Sequence, residues 1–468
     1  MSPDQIAKSS IATLSRALED GDMTALSLTA ACLERAEDFN PVCKAFTQLF
    51  KDQATSRAAK LDHEPRRGPL HGIPYGVKDM FDCRGTVTTG GSSVLHDNIA
   101  QDDAHVVAML NDAGGNCVGK LNLHEFAYGA TGENALYGTA LNAYDKTRLA
   151  GGSSSGSAAA VAWGLLPFAL GTDTGGSVRA PAALNGLVGF KPTYGRVSVR
   201  GVMPYCWSLD HVGVMTRTVS DAALVLREIS KPDPADPGCT GNTVDDYVAA
   251  AQAGDNLSGC RIGIPSEFFY EHVDAEIRAA TERIIRFLEI KGAVIKDVVL
   301  PKMTHTRTVS LTIQMPEALS FHMPWLSERG DLYSADFRAG LALGQYLLAE
   351  HYVRAKRMLT VYRDKVGQVF DKVDALVTPT TPAIAPKLGA VSVTTEGLSE
   401  PAGNAITRFT SFFNITGHPA VTLPSGMHSA GMPMGVQLVG RQFDEAGLFR
   451  LASIIDANPD FNVPSASV

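Results

Sequence analysis

The sequence predicts one large α/β domain with a central mixed β-sheet that helices cover on both faces. From Gly72 onward, short apolar runs alternate with amphipathic stretches, which is typical of a sheet flanked by helices. Hydrophobic residues make up 45% of the chain and charged residues 19%, so it can bury a large core. The 468 residues would allow about three domains, but single α/β domains also exceed about 250 residues.

The domain begins with an N-terminal helical segment of about residues 1–65. Helical periodicity runs from Ile6 to Leu61 in three stretches, with breaks at Gly21–Asp22 and Asn40–Pro41. A core segment of about residues 66–230 follows. Its predicted elements are, in order, strand Ile73–Val77, helix Asp103–Ala113, strand Asn116–Val118, helix Ser155–Gly164 and strand Pro167–Leu170.

The segment of about residues 231–259 is rich in Pro, Asp and Gly, and this composition predicts a linker. The C-terminal half, about residues 260–468, resumes the alternation within the same domain of residues 1–468. Its predicted elements are strand Arg261–Ile264, helix Asp274–Lys291, strand Val294–Leu300, a long helical segment Arg338–Val373, and strands Ala375–Val377, Ala420–Leu423 and Gly435–Val439.

The charge balance argues against a nucleic-acid partner. Lys and Arg total 41 against 49 Asp and Glu, a net charge of −8, whereas binding to phosphates needs clustered cations. The longest apolar run, residues 158–170, is too short to cross a membrane. The N-terminus shows no secretory pattern, and the seven cysteines form no C-x-x-C pair. We therefore expect a cytoplasmic protein with reduced thiols and no membrane partner.

Two familiar motifs fail at a required position. The run Gly114–Lys120 fits most of a phosphate-binding loop, but Leu121 stands where a Ser or Thr must bind Mg²⁺. His124–Glu125 begins a zinc-protease motif, but Tyr128 replaces its second His. The twelve histidines form no recognisable ligand pair. The sequence therefore predicts neither a metal site nor a cofactor.

Gly152–Gly156 satisfies the G-x-S-x-G motif, which would make Ser154 the nucleophile of an α/β-hydrolase-type esterase. That enzyme also needs an acid and a histidine later in the chain. His351, His418 and His428 are candidates, and nothing distinguishes one of them. This alternative remains open.

Two clusters of Ser and Gly, together with one lysine, form a stronger candidate site. The runs are Gly151–Ser157, which leads into an apolar helix, and Gly171–Arg179, which follows a strand. Lys78 stands at the carboxyl end of another predicted strand, where sites in α/β sheets collect. Flexible turns and a solvated lysine are the simpler interpretation. However, hydroxyl and N–H groups beside buried apolar segments need partners, which serines and a lysine amine would supply.

This set of groups suits attack on an amide carbonyl. The reaction needs an activated hydroxyl, a proton acceptor and donors for the oxyanion. A lysine accepts a proton only when it is neutral. Lowering its pKa from about 10.4 to about 7 costs roughly 4–5 kcal/mol, which burial can supply.

The two clusters and Lys78 closely resemble the amidase signature family of Ser–cis-Ser–Lys amide hydrolases. The separation of 75 residues between Lys78 and Ser153 agrees with that family. The resemblance covers roughly residues 5–455. It extends through the runs Gly189–Thr193, Ser208–Asp210, Asp374–Pro379, Asn414–Ala420 and Gly435–Gly440.

The resemblance implies a role for each matching residue. Ser177 would be the nucleophile, Ser153 a bridging serine on a cis peptide after Gly152, and Lys78 the general base and later acid. Backbone N–H groups of Thr174, Gly175, Gly176 and Ser177 would form the oxyanion hole. Supporting hydrogen bonds would come from Ser154, Thr172, Asp173 and Arg179. No cofactor is implied.

We expect the loops that flank these residues to form the substrate pocket. Its candidate residues are Phe126, Tyr128, Gly129, Ala130, Thr131, Met203, Tyr205 and Trp207. The aromatic and apolar members suggest an apolar or aromatic acyl group. A small amide, a carbamate (urethane) and a urea-type substrate all remain open.

The family also includes the glutaminase component of the tRNA-dependent amidotransferase. That component binds glutamine with an Arg in a Phe-Asp-Gly-Val-Arg-Tyr-Gly-like run and an Asp before the Asn-x-x-Gly-x-Pro motif. Here Met315–His322 replaces the first run and Thr407 stands at the Asp position. We therefore expect a free-standing amidase, with the amidotransferase component or a non-enzymatic scaffold as alternatives. Family analogy suggests a homodimer.

Overall fold

A computed structural model describes residues 1–265 and 267–466 of the chain. Its helices are α1 (Pro3–Lys8), α2 (Ile11–Glu19), α3 (Ala25–Cys43), α4 (Lys51–Leu61), α5 (His105–Asp112), α6 (Ser155–Ala162), α7 (Arg179–Leu184), α8 (Val219–Ile229), α9 (Tyr247–Ala251), α10 (Ala275–Ile290), α11 (Thr306–Arg329), α12 (Ala335–Gly344), α13 (Ala349–Val369), α14 (Ala402–Thr407), α15 (Ser411–Ile415) and α16 (Glu445–Asp456). Within the described ranges, no helix is both long and apolar enough to cross a membrane.

The strands are β1 (Phe46–Leu49), β2 (Pro74–Lys78), β3 (Asn116–Leu121), β4 (Phe168–Thr172), β5 (Val188–Lys191), β6 (Val212–Thr216), β7 (Arg261–Pro265), β8 (Val294–Val298), β9 (Ala375–Pro379), β10 (Ser392–Thr395), β11 (Leu398–Pro401), β12 (Ala420–Met427) and β13 (Pro433–Gly440). Eleven of them form one sheet in the order β1-β3-β2-β4-β6-β5-β12-β13-β9-β7-β8. Strand β2 is parallel to β3 and β4, and β7 is parallel to β8 and β9. The other neighbours pair antiparallel, so the sheet is mixed, as the sequence predicts.

The two faces of this sheet bury different hydrophobic clusters. Along β4, Phe168 and Leu170 belong to the cluster that includes helix α8, while Ala169 belongs to the cluster that includes helix α6. Successive side chains of a strand point to opposite faces, so both faces of the sheet carry helices. This arrangement makes the sheet one large domain and fully buries β2 and β4, the strands that carry the candidate site.

The N-terminal helices differ from the prediction near Pro41. The expected break at Asn40–Pro41 is absent, because α3 continues through Pro41 to Cys43. The side chain of Asn40 bonds both backbone groups of Phe46, with its amide nitrogen 3.2 Å from the carbonyl oxygen and its oxygen 2.7 Å from the nitrogen. This pair of hydrogen bonds joins the helix end to β1.

The expected linker of residues 231–259 packs against the core. It contains helix α9, whose Tyr247 is fully buried with its ring centroid 5.4 Å from that of Phe449. The Ser198 hydroxyl lies between the carboxylates of Asp233 and Asp236, at 2.8 and 3.0 Å. The segment rich in Pro, Asp and Gly is therefore folded and packed as part of the domain.

The C-terminal half contains helix α11, which the sequence pattern does not indicate. This helix of 24 residues includes Pro316 and Pro324, and proline normally signals a helix end. The predicted long helix Arg338–Val373 is divided into α12 and α13 around Leu348. Helix α11 contacts both α12 and α13 and forms one wall of the cavity described below.

Candidate active site

Lys78 is a fully buried amine at the carboxyl end of β2. Its Nζ donates hydrogen bonds to Ser153 Oγ at 2.6 Å and to Thr172 Oγ1 at 2.7 Å. Burial lowers the pKa of Lys78 to about 7, although the carboxylates of Asp210 and Asp173 favour its charged form. A large fraction of this amine is therefore neutral at neutral pH and able to accept a proton.

The loop before α6 places Ser153 beside this amine. The peptide bond between Gly152 and Ser153 is cis, and the Ser153 side chain is fully buried. The next residue, Ser154, donates to the Thr172 carbonyl at 3.1 Å and accepts from the Thr172 N–H at 3.3 Å. Ser154 thereby attaches the loop to β4, and both hydrogen bonds of its buried hydroxyl go to the backbone.

The second loop is folded around the carboxylate of Asp173. One oxygen accepts from the N–H of Gly176 at 2.8 Å and from Arg179 Nη2 at 2.9 Å. The other accepts from the Val178 N–H at 3.2 Å and from Arg179 Nε at 3.0 Å. Burial alone would raise the pKa of Asp173, but Arg179, Lys191 and Asn414 together hold that pKa well below its usual range. The buried ion pair fixes the loop that carries Ser177.

Ser177 lines a cavity, together with Thr174 and Gly175 of the same loop. Its hydroxyl makes no hydrogen bond within residues 1–265 and 267–466. Its carbonyl accepts from the Ser154 N–H at 3.3 Å, so the two loops are in direct contact. Lys78, Ser153 and Ser177 therefore lie on three adjoining segments.

One of the four expected oxyanion donors is already bonded within the protein. The N–H groups of Thr174, Gly175 and Ser177 have no acceptor among the described residues. The N–H of Gly176 instead donates to Asp173, so it is not free to bind an oxyanion in this conformation. The tight turn, in which Gly176 has a φ of 128°, directs this N–H toward the Asp173 carboxylate.

The cavity at Ser177 has a volume of about 230 Å³. Four of the eight expected pocket residues line it, namely Tyr128, Gly129, Ala130 and Tyr205. Thr174 and Gly175 also line it, so the cavity opens directly onto the candidate oxyanion donors.

The other four expected pocket residues do not line the cavity. Phe126 has a φ of 47° and is turned into the core, where its ring centroid lies 4.3 Å from that of His322. Met203 is buried in the same hydrophobic cluster. Thr131 lies 3.4 Å from His124 Nδ1, and Trp207 is exposed on the surface.

Helix α11 supplies a wall that the sequence pattern did not reveal. Its residues Arg307, Ser310, Leu311, Gln314 and Met315 line the cavity at spacings of three, four, seven and eight residues, which is one helix face. The lining also includes Gly403, Asn404, Thr407 and Ser411. The periodicity of α11 could have indicated this face, but its two prolines argued against a helix.

Asp210 is a further residue of the site that carries no expected role. One of its oxygens accepts from the Thr174 hydroxyl at 2.5 Å, and the other accepts from the N–H groups of Tyr205 and Cys206, each at 2.9 Å. Burial raises the pKa of Asp210. It links the Ser177 loop to the loop that carries Tyr205, and its position in the run Ser208–Asp210 was the available signal.

In the part of the chain that the structure describes, no three His, Cys, Asp or Glu side chains gather where they could hold a metal ion. The chemistry supported by the geometry is that of a buried neutral amine, serine hydroxyls and free backbone donors.

The chain belongs to the amidase signature family. The family model described as Amidase matches residues 27–449, and the relatives below agree, so the chain is an amide-hydrolysing enzyme of this family. It is 37% identical to the A-type subunit of the glutamyl-tRNA(Gln) amidotransferase of Myxococcus xanthus (strain DK1622), with 98% of each chain covered.

Solved structures show the same fold. A chain from a vestigial protein complex that bears on the origins of an s-triazine catabolic enzyme superposes with a TM-score of 0.93 at 32% identity, covering 97% of this chain and 100% of that chain. A crystal structure of an amidase gives a TM-score of 0.87 at 34% identity, with 96% and 99% covered.

Proposed function

We propose that this protein hydrolyses the C–N bond of a small amide, or of an amide-like carbamate or urea, through an acyl-enzyme on Ser177. The observation that carries the proposal is the buried Lys78, whose pKa is lowered to about 7 and whose amine bonds Ser153 at 2.6 Å. The cavity of about 230 Å³ suits a small substrate, because pockets for drug-sized ligands occupy roughly 300–1,000 Å³.

The proposed sequence starts with attack of Ser177 Oγ on the carbonyl carbon. Its proton passes to Ser153, which gives its own proton to neutral Lys78. The N–H groups of Thr174, Gly175 and Ser177 stabilise the oxyanion. The protonated Lys78 then returns a proton through Ser153 to the leaving nitrogen, and water hydrolyses the acyl-enzyme with the same residues as base.

The nucleophile can be tested with a fluorophosphonate probe. We expect wild-type protein to be labelled and the Ser177→Ala variant to remain unlabelled. Ser154→Ala is the matched control, since its serine lies in the neighbouring loop with its hydroxyl held by the backbone of β4. Labelling that survives Ser177→Ala and disappears in Ser154→Ala would establish the esterase alternative instead.

A second candidate function is the glutaminase component of a tRNA-dependent amidotransferase. The relative from Myxococcus xanthus, matched over 98% of both chains, favours it. Thr407 lines the cavity at the position expected for an Asp, which argues against glutamine, because the ammonium group of the substrate would lack its carboxylate partner. Comparison of kcat/KM for L-glutamine with values for aryl amides, aliphatic amides and carbamates separates the two functions. A dominant value for glutamine that rises on addition of partner proteins would identify the amidotransferase component.

We further propose that the protein acts on a small-molecule amide or carbamate in the cytoplasm and forms a homodimer. Its seven cysteines carry free thiols, which suits a reducing compartment. Light scattering coupled to size-exclusion chromatography measures the oligomeric state directly.

A further inference from the structure

Among the described residues that line the cavity at Ser177, Arg307 alone carries a charged side chain. The remainder are small, hydroxyl, amide or aromatic residues or the apolar Leu311 and Met315. Burial lowers the pKa of Arg307, yet a guanidinium remains protonated in proteins. The cavity therefore holds one positive charge and no negative charge from its own lining.

Within residues 1–265 and 267–466, the guanidinium of Arg307 forms no hydrogen bond and no ion pair. The phenols of Tyr128 and Tyr205 and the carboxylate of Glu400 favour its charged form through space. That carboxylate, however, already accepts from Arg408 Nη1 at 2.6 Å. Five N–H donors in a fixed planar arrangement thus remain at the cavity wall, and such a group pairs best with a carboxylate or another planar anion.

The position of Arg307 on α11 separates it from Gln314, the side-chain amide of the same wall. Arg307 and Gln314 are seven residues apart on one helix face, which places them about 10 Å apart along the axis. Arg307 and Ser177 line the same cavity, so one substrate can present its carboxylate to the guanidinium and its amide to Ser177.

We infer that Arg307 selects amides that carry a carboxylate away from the scissile bond. This inference rests on the proposed function, because it names the substrate class of the same site. The Tyr128 and Tyr205 rings, which also line the cavity, enclose the carbon chain between the carboxylate and the amide.

The test uses ω-amido acids of three lengths, succinamate, glutaramate and adipamate, each paired with its neutral diamide. We expect the ratio of kcat/KM between acid and diamide to exceed one in the wild type for at least one length. In Arg307→Gln that ratio should fall at least tenfold, equivalent to about 1.4 kcal/mol. Arg307→Lys keeps the charge and should lose less. A ratio that stays within twofold of wild type in Arg307→Gln overturns the inference.

A binding measurement separates failure of this inference from failure of the proposed function. Calorimetric titration of the Ser177→Ala protein with the same acids requires no turnover. We expect binding of at least one acid, weakened at least tenfold in the Ser177→Ala/Arg307→Gln protein. Equal affinity in the two proteins, or no binding of any acid, overturns the inference. Binding that depends on Arg307 in a protein whose wild type cleaves no amide would instead overturn the proposed function.

Discussion

The state of the Lys78 amine depends on the balance between burial and two nearby carboxylates. Asp210 and Asp173 favour the charged form, yet burial outweighs them and lowers the pKa to about 7. The hydroxyl oxygens of Ser153 and Thr172 then take the place of water as hydrogen-bond acceptors. A lysine in this state can take a proton from Ser153 at neutral pH, which an ordinary surface lysine cannot do.

This pKa predicts how activity depends on pH. Only the neutral amine accepts a proton, so log kcat/KM should rise with a slope near one below about pH 7 and level off above it. Lys78→Ala should lose about 10²–10⁴-fold in activity and lose this dependence. The exposed Lys365 provides a matched control as Lys365→Ala. Near-normal turnover of Lys78→Ala, with a circular dichroism spectrum like that of wild type, would contradict the role of the lysine.

The buried pair of Asp173 and Arg179 is the second feature at this scale. Asp173→Asn leaves the guanidinium buried without its counter-charge, and such changes cost about 3–5 kcal/mol. The surface pair of Arg329 and Asp97, whose carboxylate is exposed, offers the comparison, since Asp97→Asn should lower the melting temperature far less. Thermal unfolding of both variants measures the difference. Equal melting temperatures would contradict the structural role of the buried pair.

Among the elements, α9 shows that a segment rich in Pro, Asp and Gly can belong to the core. Tyr247 begins this helix and is buried beside Phe449. Tyr247→Ala should destabilise the protein by about 3–5 kcal/mol, because it removes a large buried ring. Tyr247→Phe is the matched control and should have little effect, since the phenol oxygen has no hydrogen-bond partner among the described residues. Chemical denaturation measures both, and similar stabilities for the two variants would show that the segment is a free linker.

The predictable part of the molecule is the part encoded by local sequence. Lys78 at a strand end and the two Ser/Gly loops follow from neighbouring residues, and the structure places them on adjoining segments. Phe126 was predicted to line the pocket, but its φ of 47° turns the ring into the core, a conformation that aromatic residues seldom adopt. Helix α11 was not predicted, because Pro316 and Pro324 argue against a helix. The cavity wall that carries Arg307 was therefore not predicted either.

At the scale of the whole molecule, the sheet joins segments that are distant in the chain into one site. Strands β2 and β4 are adjacent and parallel, so the segments that follow them lie at the same edge of the sheet. The C-terminal half completes the site. Asn414 Oδ1 accepts a hydrogen bond from Arg179 Nη2 at 2.7 Å, and α11 lines the cavity. Both halves of the chain therefore contribute residues to the site.

Trapping of the acyl-enzyme tests the central claim most directly. Wild-type protein would be mixed with an activated amide or ester substrate, quenched in acid during turnover and digested for mass spectrometry. We predict that the acyl mass lies on the peptide that contains Ser177 and that Ser177→Ala gives no adduct. An adduct on Ser154 or on a cysteine, or steady turnover by Ser177→Ala, would contradict the proposal that Ser177 is the nucleophile.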